Sequence, residues 1–479
     1  FYFYELMYVF LAVMVTDIVL LDIFNSLGMP TSTTVSMVFE LLGASFALAL
    51  VKLASDTTGL TFADLLNTEK ALSVILGIFL SVAIAFFFGT LVQYISRIIF
   101  TFNYKSKMRW KAGLFGGIAV TAIIYFMLIK GVKDLSFMTA ENKAFVHDHT
   151  ALILGGCLVF FTVLMQILHW CKVNVFKVVV LVGTFSLAMA FAGNDLVNFI
   201  GVPLAGYSSY QDYMANGAGD PTGFLMGSLN GPAKTPLFFL IAAGAIMVFS
   251  LATSKKAHNV VKTSVDLSRQ DTGDEVFGSS RVARSLGRWF TSVSAWVLDV
   301  TPEKIRFWIN NRFNQDEVQI ENGAAFDLVR ASINLVLAGL LIAMGTSLKL
   351  PLSTTYVTFM VAMGTSLADR AWGRESAVFR ITGVLSVIGG WFITAGAAFL
   401  IAFAIALIMY FGGVWAAIAI VVLGVGVLIR SNIVYRKKSK TEKKDTIFYD
   451  MLATKDKEEL WTLLLSLIHI SEPTRLLSI

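Results

Sequence analysis

Apolar runs alternate with short polar stretches along nearly the whole chain. They cover residues 4–27, 33–53, 71–100, 112–130, 150–170, 178–203, 236–251, 326–348, 356–368, 376–409 and 414–428. Most approach or exceed the roughly 20 apolar residues that carry a helix across a bilayer. The pattern predicts an all-α polytopic membrane protein with about 10–12 membrane segments. Within the runs the polar positions stand out. Asp17, Asp22 and Asn25 sit in the first and Glu40 in the second, while Asp327, Arg330 and Asn334 share one stripe of a later one. Ionisable groups inside a membrane are costly and mark pathways or sites. Asp22 and Asn25, three residues apart, share a helix face.

One polar pattern occurs twice. Pro30-Thr31-Ser32-Thr33-Thr34 is matched, 321 positions on, by Pro351-Leu352-Ser353-Thr354-Thr355. The offset also pairs Ser26 and Leu27 with Ser347 and Leu348, and Gly43, Ser45 and Ala47 with Gly364, Ser366 and Ala368. Proline removes an amide donor and breaks a helix. A helix restarting after it aims free amides and three hydroxyls at one spot, which makes an anion site from neutral donors. The plainer reading is a proline that starts a helix and hydroxyls that cap it. Two matched copies favour the site.

Ala192-Gly193-Asn194-Asp195-Leu196-Val197-Asn198, followed by Gly201 and Pro203, ends the run at 178–203. Asn194 and Asn198 face one way. A broken helix here would expose groups that coordinate a small cation. Caps at a helix end near the interface would read the same way.

Composition agrees with the membrane class. The chain is 56% hydrophobic and 15% charged, with a mean hydropathy of +0.72, against about 25% charge in a soluble domain. Its net charge of +6 sits in loops, so it reports topology and not nucleic-acid binding. Cys157 and Cys171 suggest neither a disulfide framework nor a zinc site. His147-Asp148-His149 has metal-ligand spacing but reads as a solvated loop.

Topology follows from the basic loop bearing Lys105, Lys107, Arg109 and Lys111, which belongs in the cytoplasm. Counting spans backwards from it brings the first motif to the inner side. Counting forwards brings the second to the outer side and the basic tail at 433–464 inside. The motifs therefore enter from opposite faces, as in two inverted repeats with broken or re-entrant helices around a midplane site. Residues 1–170 form the first repeat, and 175–254 with 323–432 the second. Between them, 255–322 forms a cytoplasmic loop. Its basic residues and Trp289, Phe290, Trp296, Phe307 and Trp308 suggest amphipathic helices on the membrane face, with a small soluble domain as the alternative.

Gly-Asn-Asp paired with Pro-x-Ser-Thr-Thr resembles the inorganic phosphate transporter (PiT) family, over nearly the whole chain to Leu464. The resemblance implies two inverted repeats in a bacterial inner membrane and cation-coupled import of inorganic phosphate, with Na+ or H+ as the coupling ion and no cofactor. It implies Ser32, Thr33, Thr34, Ser353, Thr354, Thr355 and Asn194 for phosphate. Asp195 and Asn198 are implied for the cation, with Asp22 and Asn25 as further cation candidates from their intramembrane position. No metal is expected beyond transported Na+. The chain departs from the pattern in three ways. Val35 and Tyr356 stand where the family has His, Gly and Ala are exchanged ahead of Asn194, and the first Asn-Asp motif would fall upstream of Phe1. Residues 465–479 read as a translated sequencing adapter. A carrier of another oxyanion such as sulfate, or a membrane-embedded enzyme or structural protein, are the alternatives. Homodimerisation is left open.

Overall fold

The computed structural model describes residues 1–453 except 30, 56–58, 60, 126–138, 218, 232–234, most of 255–301, 315–319, 321–323, 349, 351 and 371–375. A segment in lipid has no water for its amides and must satisfy them internally. The apolar runs accordingly fold as helices. The helices, three of which (α3, α6 and α10) lie outside the apolar runs, are α1 (Phe3–Ser26), α2 (Thr33–Ser55), a short α3 (Phe62–Leu65), α4 (Thr68–Phe100), α5 (Arg109–Ile124), α6 (Ala140–Asp148), α7 (Thr150–Trp170), α8 (Val175–Asn216), α9 (Leu237–Thr253), α10 (Glu303–Arg312), α11 (Leu328–Ser347), α12 (Thr354–Ala368) and α13 (Ser376–Ala453). Among the described residues the extended pairing is a single bridge, Tyr2 to Leu225.

Seven of these helices are long and apolar enough to cross a membrane, namely α1, α2, α4, α7, α8, α11 and α13. The polarity of the molecule is inverted relative to a soluble protein. Phe249 and Trp415 are 71% and 83% exposed, whereas Arg97 and Arg330 are fully buried. The protein is an all-α, multi-pass membrane protein. Gly413, at φ 61 and ψ −153, divides α13 into the two stretches that the apolar pattern separates.

Three expectations change. The helix α8 does not break at Gly193–Asn198. It runs 42 residues with Pro203 inside it. The proline leaves the Phe199 carbonyl without its usual amide, a loss that membrane helices tolerate where neighbours compensate. The segment expected to end at residue 203 continues as helix as far as Asn216. His147 and Asp148 end the helix α6 instead of lying in a loop, and the described residues contain no group of three metal-ligating side chains. Of the 255–322 region the structure describes chiefly α10, which exposes Ile305, Phe307 and Trp308. Trp289, Phe290 and Trp296 lie outside the described residues, as do 465–479.

Two helical hairpins organise the core. The first is α1–α2, closed at its base by Lys52 on Glu5 at 2.9 Å. The second is α11–α12, closed by Arg97 of α4. Arg97 bonds Asp327, the N-cap of α11, at 2.7 and 3.1 Å, and Asp369, the C-cap of α12, at 2.9 and 2.6 Å. Gln93 adds a bond to Asp369 at 2.8 Å. Since α11 starts and α12 ends at one level, and α12 has 15 residues to the 20 of α11, the tip of α12 falls short inside the bundle. Each hairpin leans on a neighbour through a glycine. A Cβ on Gly43 would lie 2.2 Å from the Phe399 carbonyl oxygen of α13, and one on Gly364 would lie 2.5 Å from the Phe86 carbonyl oxygen of α4. Small residues that admit such backbone approach are how membrane helices pack.

Candidate functional site

The tips of the two hairpins meet at the middle of α8. At each tip the serine of the motif caps its helix in the same way. Val35 N donates to Ser32 Oγ at 3.2 Å, and Tyr356 N donates to Ser353 Oγ at 3.2 Å. The next amides, Ser36 N and Val357 N, donate to the Ser32 and Ser353 carbonyls at 3.0 Å each. The local geometry repeats with the sequence offset. A helix leaves its first amides without an internal acceptor, so those of Thr33, Thr34, Thr354 and Thr355 open toward the centre. Pro30 and Pro351 lie outside the described residues.

The threonines reach across to α8. Thr33 Oγ1 donates to Asp195 Oδ1 at 3.4 Å, and Thr354 Oγ1 donates to Asp195 Oδ1 and Oδ2 at 2.9 Å each. Asn198 Nδ2 donates to Thr33 and Thr34 hydroxyls at 3.2 and 2.7 Å. Thr34 Oγ1 lies 3.5 Å from Asn194 Oδ1, the long limit of a hydrogen bond. Asn194, Asp195 and Asn198 thus share a face of an unbroken helix, and helical spacing alone aligns them. Thr355 sits beside Thr354 on α12, half-buried. The groups bonding the Asp195 carboxylate in this cluster are neutral, so its charge is held by hydroxyl and amide dipoles.

Other candidates lie elsewhere. Asp22 is not part of this cluster. It bonds Lys256 at 2.6 Å and accepts from the Ser431 hydroxyl, which fixes it at the other end of α1 from Glu5. Asn25 lies one turn beyond it, with its carbonyl taken by Gly28 N. Of the stripe on α11, Asp327 and Arg330 belong to the buried base of the second hairpin. Asn334 accepts from Thr365 of α12 at 2.6 Å. At the positions where a histidine was expected, Val35 is buried and Tyr356 stacks on Trp391 with ring centroids 3.7 Å apart. What sequence reasoning missed was the partnership of Arg97 with Asp327 and Asp369. The available signal was an arginine inside an apolar run.

A family model described as the phosphate transporter family matches residues 3–264. That stretch contains the first motif, Asn194, Asp195 and Asn198. No curated protein and no solved structure matches the chain. The family match covers more than half of the 479 residues, and the chain belongs to the phosphate transporter family.

Proposed function

We propose that this protein carries inorganic phosphate inward by symport with Na+ or H+, alternating access to a site between the two hairpin tips. The family is one of transporters, which removes the enzyme alternative. The single observation that carries the finer reading is the convergence of Thr33 and Thr354, 321 positions apart, on Asp195. In this reading Thr33, Thr34, Thr354 and Thr355 turn their hydroxyls and first-turn amides to phosphate, Ser32 and Ser353 hold the helix ends, and Asn194 completes the shell.

Asp195 supplies the coupling. Two unit charges of like sign 4 Å apart repel by about 4 kcal/mol at an effective dielectric of 20. Phosphate therefore enters beside Asp195 only together with a cation, and Asp195 with Asn198 is where that cation binds. Loading both favours the rocking of one hairpin pair against the other, because a ligand shifts an equilibrium by its differential affinity for the two states. The two hairpins are then the halves of an inverted repeat acting in a bacterial inner membrane.

The full-length protein in sealed vesicles should accumulate labelled phosphate only with an inward Na+ or proton gradient. Uptake indifferent to both gradients would sink the coupling. Sulfate competing as well as phosphate would reassign the cargo to oxyanions in general.

A further inference from the structure

A second group of buried oxygens lies deeper in the first hairpin. Glu40 of α2 is 0% exposed, and neither of its carboxylate oxygens has a hydrogen-bond partner. Asp17 of α1 has a buried Oδ1 in the same condition. The two carboxylates are near enough for their charges to act on each other, and α1 packs against α2.

Ser36 adds a neutral ligand. It is fully buried, stands one turn before Glu40 on the same helix face, and its hydroxyl has no partner. Helical Ser and Thr ordinarily bond the carbonyl four residues back. Thr16, Ser26, Thr90 and Thr394 all do so here. The Ser36 hydroxyl is left over one turn before Glu40.

The nearby acids are treated differently. Glu5 is matched by Lys52, and Asp22 by Lys256. Asp17 and Glu40 lie between those two pairs, where the described lysines are engaged at either end of α1. A buried carboxylate must be paired, hydrogen-bonded or bound to a cation. Four oxygens of this type suit a hard cation. Ca2+ takes six to eight oxygens and Mg2+ demands a near-octahedral, largely hydrated shell, which this apolar surround does not offer.

We propose that Asp17, Ser36 and Glu40 form a Na+ site buried between α1 and α2, separate from the Asp195 cluster. Glu40 lies six residues past Thr34, about 9 Å along the helix. The proposal does not rest on phosphate being the cargo.

The test is direct binding of labelled Na+ to purified full-length protein in phosphate-free buffer at fixed pH. Asp195→Asn, which disables the cluster at the tips, should leave one Na+ bound. Adding Glu40→Gln to it should weaken that binding tenfold or more, with Asp17→Asn doing the same and Ser36→Ala giving a smaller loss. Glutamine matches the shape of Glu40, and a monodisperse gel-filtration peak with an unchanged melting temperature checks the fold. Na+ binding indifferent to Glu40→Gln and Asp17→Asn would overturn the site. So would no Na+ binding together with proton uptake by the pair, since that would make it a proton carrier.

Discussion

Thr354 gives its hydroxyl to both oxygens of Asp195, at 2.9 Å each. Thr33, from the other hairpin, reaches the same carboxylate at 3.4 Å. One acid on α8 therefore ties together the two copies of a repeated motif. In the proposed mechanism an incoming anion takes those hydroxyls away from Asp195, so that substrate and carboxylate compete for the same donors.

Thr33→Val and Thr354→Val keep the side-chain volume and remove one donor. A hydrogen bond to a charged group contributes roughly 1.5–3 kcal/mol. Each change should weaken phosphate binding about ten- to hundredfold, as measured by isothermal titration on the full-length protein. Ser45→Ala, further along α2, should do little. If only one of the two threonines matters, the motifs do not share a site.

Asp195→Asn keeps the shape and abolishes the charge. The proposed coupling then loses its reason. Phosphate binding should persist and become insensitive to Na+ concentration, while uptake against a gradient disappears. A variant that still concentrates phosphate with the wild-type cation dependence would place the coupling elsewhere.

Arg97→Ala removes the guanidinium that clamps Asp327 and Asp369, leaving Arg330, 3.9 Å from Asp369, as the remaining cation at the pair. Breaking a buried pair from one side costs about 3–5 kcal/mol. The variant should melt well below wild type in detergent or fail to accumulate in membranes. Arg97→Lys keeps the charge but loses the planar fork that serves two carboxylates, and should fall between the two. Wild-type melting of Arg97→Ala would remove the network from the structural account.

Gly43→Val and Gly364→Val test the hairpin supports. In each case the new Cβ would lie within 2.5 Å of a neighbouring carbonyl oxygen, closer than any side chain tolerates. Both should lower thermal stability, since overpacking typically costs about 1–3 kcal/mol. Gly193→Ala should be mild, because nothing lies within 4 Å of a Cβ there. Equal melting of all three would show that the close approach is relieved by helix movement.

Much of this was legible in the sequence, and the rest failed for definable reasons. Apolar run length gave the helices because backbone satisfaction in lipid leaves few alternatives. The repeated motif pointed to Thr33 and Thr354, and helical spacing to Asn194 and Asn198. The continuity of α8 through Pro203 was not legible, since Pro breaks an isolated helix and packing decides whether it breaks an embedded one. The fate of Asp22 was hidden because its partner Lys256 lies 234 residues away. Ser32 and Ser353 accept an amide as caps and keep their hydroxyl protons to donate, and which hydroxyl of the motif caps depends on where the helix restarts.

The Arg97 network also dictates an order of events at the ribosome. Arg97 is translated 230 residues before Asp327 and 272 before Asp369. At about 5–20 residues per second, the arginine waits on the order of ten seconds to a minute without its counter-ions. Placed three residues from the end of α4, it can spend that interval stretched toward the aqueous boundary, as long cationic side chains do. It sinks into the interior when the second hairpin delivers both carboxylates. The early half of the polypeptide is thus inserted in a provisional form and completed by the late half.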